Sequence, residues 1–432
     1  GLLGHRTLIG PNVMQATSHK PVYGVPDMTA VGRAAMSFVL LLFLISCVFD
    51  PADRLFGLKV WLFLLAWLIT LLTVLPSRSQ GRVPLTLWTY TALFVMVPSI
   101  SILKYMITDG SEPFEGFNLM KGYVLISLAP MLVMNRVDLL PRLCAVLTML
   151  ALAVIGVFIV LQIEPDFYGA LYLFGETTGV VLVDTRDYGS DVTLLQVYFV
   201  TSPMLAISIA YFFDMARQAT TFRERWACWG LTALNVLGML LAGTRNNIVI
   251  SLALPVLLWF VHSRRKALAA VLAATIAALL GLIFINELQA FFDPTEYSNG
   301  IKLAMLRDYA NILSNPWTLL FGQGLGAYQF WEAKGIYFYI TELTYFELLR
   351  NFGLFGATLM LGLLVYPALR LYVANRSSRE RSLAVAFGAY LVMCLSNPNL
   401  FSSMGILILC LILALIHLPS ARHRRAVPRS AP

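Results

Sequence analysis

Residues 143–161 read LCAVLTMLALAVIGVFIVL, nineteen positions without a single charged or amide side chain. A helix of that length rises about 28 Å at roughly 1.5 Å per residue, close to the ~30 Å hydrocarbon core of a bilayer. It has no polar face to turn toward water, so the stretch reads as a membrane-spanning helix. Working outward, similar apolar runs occupy 31–49, 58–75, 85–103, 119–134, 193–213, 227–243, 246–262, 267–285, 344–369, 383–397 and 402–418. The sequence therefore predicts an all-α polytopic integral membrane protein with about twelve transmembrane helices. The run 119–134 is short, and the last pair is parted only by Asn397-Pro398-Asn399.

Composition agrees with that class. The chain is 59% hydrophobic and 12% charged, against about 25% charged in soluble domains. Alternating the loops across the membrane puts 21 of the 31 Lys and Arg on one side with only 5 of the 23 Asp and Glu: Asp27, Asp138, Asp214, Glu224 and Glu380. A Lys/Arg excess on alternate loops sets orientation, so both termini are expected in the cytoplasm. Basic clusters such as Arg264-Arg265-Lys266 and Arg422/Arg424/Arg425 abut apolar runs. They read as anchors to anionic lipid, which argues against nucleic acid as a partner. Residues 1–30 form a polar, proline-bearing cytoplasmic segment with no signal-peptide core, 31–418 the membrane domain, and 419–432 a basic tail. The five cysteines lie in or beside apolar runs without CxxC pairing, so neither a disulfide framework nor a zinc site is expected.

Two connections are long, and both fall on the outer side. Loop 162–192 carries Glu164, Asp166, Glu176, Asp184, Arg186, Asp187 and Asp191. Loop 286–343 is rich in aromatics, among them Tyr309, Trp317, Tyr328, Trp331, Tyr337 and Tyr339. Long loops in compact proteins are commonly functional, and the second is too aromatic for disorder. Short helices are expected near 300–314 and 325–334.

All five histidines (His5, His19, His262, His417, His423) are placed on the inner side. Chemistry on the outer face must then use carboxylates, arginines, tyrosines and amides, which excludes Ser-His-Asp and zinc hydrolysis there. The sequence has no GxxxxGK[ST] phosphate loop. Arg245 sits between two apolar runs, either as a snorkelling interfacial arginine or as a bidentate clamp for phosphate. Arg307, beside Asp308, reads either as half of a surface ion pair or as a second clamp. Glu342 at the lip of run 344–369 has the position of a partly desolvated general base. Glu347 is its competitor, or a structural partner for Arg350. The aromatics of 328–339 fit sugar platforms and equally fit an interfacial belt. Lys104 and Lys121 read as interfacial anchors.

Three motifs occur in order: Leu241-Ala242-Gly243-Thr244-Arg245-Asn246-Asn247; Arg307 with Asn315-Pro316 and Phe321-Gly322-Gln323-Gly324-Leu325-Gly326; and Thr341-Glu342-Leu343-Thr344-Tyr345-Phe346 closing at Gly353-Leu354-Phe355-Gly356. Together they resemble the bacterial O-antigen polymerase and ligase superfamily (Wzy and WaaL types) over roughly residues 230–370. Ligases of that family typically carry His where this chain has Glu342, so the resemblance favours the polymerase and selects Glu342 over Glu347.

The resemblance implies a GT-C-like inner-membrane glycosyltransferase with a periplasmic active site. Its substrate would be an undecaprenyl-pyrophosphate-linked oligosaccharide, and it would use no metal and no cofactor. It further implies Glu342 as base and Arg245 and Arg307 on the pyrophosphate. The sugar cleft would be built from Arg186, Asn246, Gln323, Tyr328, Trp331, Tyr337, Tyr339 and Tyr345. Expected partners are membrane lipid, a flippase and a Wzz-type chain-length co-polymerase. A WaaL-type ligase and a secondary transporter are the alternatives.

Overall fold

The computed structural model describes residues 30–74, 83–109, 114–187, 193–268, scattered positions between 270 and 278, 297–374 and 377–418. The expected run 267–285, segment 1–30 and tail 419–432 therefore lie largely or wholly outside the described residues. The first part of the chain forms α1 (Ala30–Phe49), α2 (Lys59–Val74), α3 (Leu85–Asp109), α4 (Phe114–Val124), α5 (Leu128–Met134), α6 (Leu140–Ile163) and α7 (Phe167–Thr178). A hairpin of β1 (Val181–Asp187) and β2 (Thr193–Phe199) follows, then α8 (Leu205–Gln218), α9 (Phe222–Leu241) and α10 (Arg245–His262). The C-terminal part comprises α11 (Tyr297–Leu313), α12 (Pro316–Phe321), the hairpin β3 (Gln329–Trp331) and β4 (Ile336–Phe338), α13 (Thr344–Ala374), α14 (Ser378–Met393) and α15 (Ser403–His417).

Among the described residues, six helical segments are long and apolar enough to cross a membrane: Gly32–Phe49, Leu85–Thr108, Phe114–Met134, Leu140–Ile163, Arg245–His262 and Thr344–Ala374. Lys59–Thr73 and Ser403–His417 are apolar but shorter. The helices carry rows of exposed large apolar side chains, such as Trp61, Leu64, Leu68 and Leu72 on α2. A water-soluble surface rarely tolerates contiguous patches of that kind, and hydrocarbon is the solvent that suits them. By contrast α15 is apolar on every side and buried along nearly its whole length, the pattern of a helix inside a bundle. It packs on α5 and α13, while α8 sits among α9, α14, α6 and α10.

Two expectations are corrected. Run 193–213 is not one helix: Thr193–Phe199 pairs antiparallel with Val181–Asp187, from Val181 opposite Phe199 to Asp187 opposite Thr193. The β-branched and aromatic Val197-Tyr198-Phe199-Val200 favour a strand, and α-helix begins only at Leu205, after Pro203. Likewise 325–334 is not a helix but a tight turn leading into β3 and β4. Gly324 and Gly326, at φ 115° and 90°, hold backbone conformations incompatible with a helix.

Helix α13 is broken near its start, because Gly353 adopts φ 66° and ψ −179°. A Cβ there would stand 2.4 Å from backbone atoms of Leu320, Phe321 and Gly322, so the end of α12 crosses α13 backbone against backbone. The break leaves carbonyls of the preceding turn without intrahelical partners. The Arg350 carbonyl accepts from Gln323 N at 2.6 Å, and that of Asn351 accepts from Gly324 N at 3.2 Å and Ser101 Oγ at 2.8 Å.

Candidate functional site

Segment 297–343 folds as a cap on the end of the bundle where α10 and α13 begin. It has a small core of its own: Met305 and Tyr309 of α11, Trp331 of β3, and Leu343 at the start of α13. The Tyr309 and Trp331 rings lie 5.0 Å apart. A glycine-rich turn seats the cap on the spans. Gly326 comes so close to Gly116 of α4 that an added Cβ would meet the Gly116 nitrogen at 2.4 Å. Lys104, expected as an interfacial anchor, donates to the Phe321 carbonyl at 2.9 Å and also to that of Gly322.

The centre of the cap is Arg350, which is fully buried. Its five N–H groups are all used. Nε and Nη2 donate to Glu347, Nη1 to Gln323 Oε1 at 3.1 Å and to the Ala327 carbonyl at 3.0 Å, and Nη2 also to the Tyr339 carbonyl at 2.8 Å. The guanidinium also lies over the Trp331 ring, 5.6 Å from its centroid. Glu347 further accepts from Tyr309 at 2.7 Å, Thr341 at 3.4 Å and Asn351 at 3.0 Å. Burial and then the charge of Glu347 push the Tyr309 hydroxyl well above its ordinary range, which keeps it a donor. Glu347 is thus the structural partner of Arg350. A carboxylate with every lone pair engaged positions its neighbours rather than accepting a substrate proton.

Glu342 is different. Its side chain is 46% exposed and, among the described residues, pairs with Lys334 at 3.5 Å. Arg245 is the first helical residue of α10, after Thr244, whose hydroxyl accepts the Asn247 N–H at 3.3 Å. Half-buried, Arg245 donates from Nη1 to Asn299 Oδ1 on α11 at 3.0 Å. Arg307 stands eight residues further along α11 and is exposed. Among the described residues no ion pair joins it to Asp308; the Asp308 carboxylate is buried and accepts from Ala333 N at 3.3 Å instead. The three motif segments are therefore gathered by contact: α10 to α11 through Arg245–Asn299, and α11 to the start of α13 through Tyr309–Glu347.

The expected sugar-contacting residues divide. Tyr337 is 70% exposed and packs at a tilt against Phe330, ring centroids 5.0 Å apart; Tyr328 is exposed and lies 5.6 Å from half-buried Tyr339. Desolvation and the nearby Glu115 charge raise both the Tyr328 and Tyr339 hydroxyls. Trp331 is not a platform: it is 1% exposed, and its indole donates to the Phe338 carbonyl at 3.1 Å. Large aromatic area gave the same signal in the sequence for a platform as for a core residue. Tyr345 braces α13 to α14, donating to the Leu391 carbonyl at 2.7 Å. Gln323 belongs to the Arg350 network, and Asn246 donates to the Met393 carbonyl at 3.4 Å. Arg186 contributes a strand position opposite Leu194; its side chain lies outside the described residues.

Between the cap and the spans is a cavity of about 140 Å³ that the sequence did not announce. Its walls come from α4, the glycine-rich turn, the start of α13 and the joint between α14 and α15. No family model matches the chain, and no curated protein matches it.

Proposed function

We propose that the protein is a Wzy-type polymerase of the bacterial inner membrane. It joins undecaprenyl-pyrophosphate-linked oligosaccharide repeats on the periplasmic face, within a twelve-span, GT-C-like body. The observation that carries this reading is the gathering of three sequence-distant motifs at one end of a membrane-embedded helical bundle, under an aromatic cap.

In this reading the half-exposed Glu342 takes the proton from the acceptor hydroxyl as that oxygen attacks the anomeric carbon of the donor. The C–O bond to the pyrophosphate breaks as the new glycosidic bond forms, with inversion, and the lipid pyrophosphate leaves. Arg245 and exposed Arg307 offset the charge that develops on it. Tyr337 and Tyr328 offer ring faces to the sugar, and the Arg350–Glu347 network holds the turn and lip on which these groups are mounted. A flippase would supply the substrate, and a Wzz-type co-polymerase would set chain length.

The test is a product gel after mixing bilayer-reconstituted protein with authentic lipid-linked repeats, without nucleotide or metal. A ladder spaced by one repeat and still attached to lipid is expected. Transfer only to an added lipid A core acceptor would make the protein a WaaL-type ligase, and neither product would return it to the transporter class.

A further inference from the structure

The cavity beneath the cap has a chemical character of its own. Most of its lining is apolar, with Leu325, Leu348, Phe352 and Phe401 prominent, while exposed Pro398 stands at its rim. Tyr123 stacks on Phe401 at 5.1 Å and meets Phe352 edge-on at 6.2 Å.

Two polar atoms of these lining residues make no hydrogen bond among the described residues. Asn351 is 4% exposed and donates from Nδ2 to Glu347, which fixes its amide orientation because a carboxylate can only accept. Its Oδ1 is buried and makes no hydrogen bond. The Tyr123 hydroxyl, on a residue 3% exposed, likewise bonds to none of the described residues. The other wall hydroxyls are committed as donors: Thr344 to the Asn397 carbonyl, Ser402 to the Asn399 carbonyl and Thr341 to Glu347. A buried acceptor left alone costs about 1–3 kcal/mol, so such a pair is expected to meet a ligand.

We infer that this cavity is a binding site for an N-acylamino group, the acetamido substituent of an amino sugar. The amide N–H meets Asn351 Oδ1, the amide carbonyl meets the Tyr123 hydroxyl, and the methyl lies on the aromatic and leucine walls. Size agrees, since an apolar cavity of about 150 Å³ accommodates the six carbons of benzene, and an acetamido group has four heavy atoms. Phosphate and carboxylate are excluded, because the floor presents Glu347 and an amide oxygen against a single donor. The inference rests on the glycosyltransferase reading for its substrate and names the class: a repeat unit with an N-acetylated sugar at the reacting end.

The test uses full-length protein in nanodiscs with methyl 2-acetamido-2-deoxyglycosides, in gluco and galacto forms, against the matching 2-hydroxy glycosides. Saturation-transfer NMR should show the acetyl methyl as the most strongly contacted group, and at least tenfold tighter binding of the acetamido sugars. Tyr123→Phe, which removes only the donor, and Leu119→Trp, which fills the cavity from α4, should each cut that preference at least severalfold. Asn351→Ser should do the same, and the other two variants decide if it fails to fold. Equal binding of both sugar types, or a preference unchanged in Tyr123→Phe and Leu119→Trp, overturns the inference. A product ladder without acetamido preference would fell the pocket and leave the polymerase standing; preference without elongation would do the reverse.

Discussion

Removing the charge of Arg350 should reveal how the cap is held. Arg350→Met leaves Glu347 as a buried carboxylate without its cation and strips partners from Gln323 Oε1 and the carbonyls of Ala327 and Tyr339. Breaking a buried pair from one side costs about 3–5 kcal/mol, mainly the penalty of the stranded charge. Glu347→Gln should cost a similar amount by stranding the guanidinium. The double variant Glu347→Gln/Arg350→Met strands no charge, so its loss should fall short of the sum of the singles by at least about 2 kcal/mol. All five cysteines are buried, so thiol labelling during thermal or denaturant unfolding in detergent reads global stability. Losses that simply add would refute the claim that Arg350 and Glu347 form one electrostatic unit.

Glu342→Gln should abolish elongation while leaving the unfolding transition within about 1 kcal/mol of wild type, because its ion pair with Lys334 is partly exposed; elongation at near wild-type rate removes Glu342 as base. Trp331→Ala should destabilise by about 3–5 kcal/mol as a core truncation, whereas Tyr337→Ala should leave stability unchanged and raise KM in the elongation assay. Gly326→Ala should prevent stable expression or lower the unfolding temperature sharply, because its Cβ would meet backbone of Gly116; unaltered thermal unfolding would show the turn seated otherwise. Asp50 supplies a pH effect. Burial alone would raise its carboxyl, but the N–H groups of Phe56, Leu55 and Arg54 bring it net below its usual 3.8. A depressed folded value stabilises above the unfolded one and is lost as pH falls through it, so hydrogen exchange at residues 54–56 should quicken below about pH 4 and in Asp50→Asn at neutral pH.

The spans were legible wherever apolar length alone decides, as at 143–161. Legibility failed at 193–213, where a β-strand and a helix are both apolar and only Pro203 marks the joint. In the cap, hydrophobicity announced that 297–343 would order but not which aromatics would face inward: Trp331 is buried beside Tyr309, its indole reaching the Phe338 carbonyl, a contact made across a hairpin turn. The pairing of Glu347 with Arg350 was readable from i, i+3 spacing on a helix. Its importance was not, since burial and the contributions of Gln323, Ala327 and Tyr339 come from segments distant in sequence. The cavity had no sequence signal, being defined by what four separate elements leave unfilled.

The break at Gly353 has a consequence for how this architecture can change. Because the cap is fastened largely through main-chain groups of residues 322–324 and 350–351, its anchorage depends little on which side chains the rest of the cap presents. Exposed positions such as Phe330, Tyr337 and Tyr328 can be exchanged for other residues without loosening the seat. A lineage built on this plan can therefore retune what it recognises by point substitution on a fixed mount, and separate its search for new ligands from the need to stay folded.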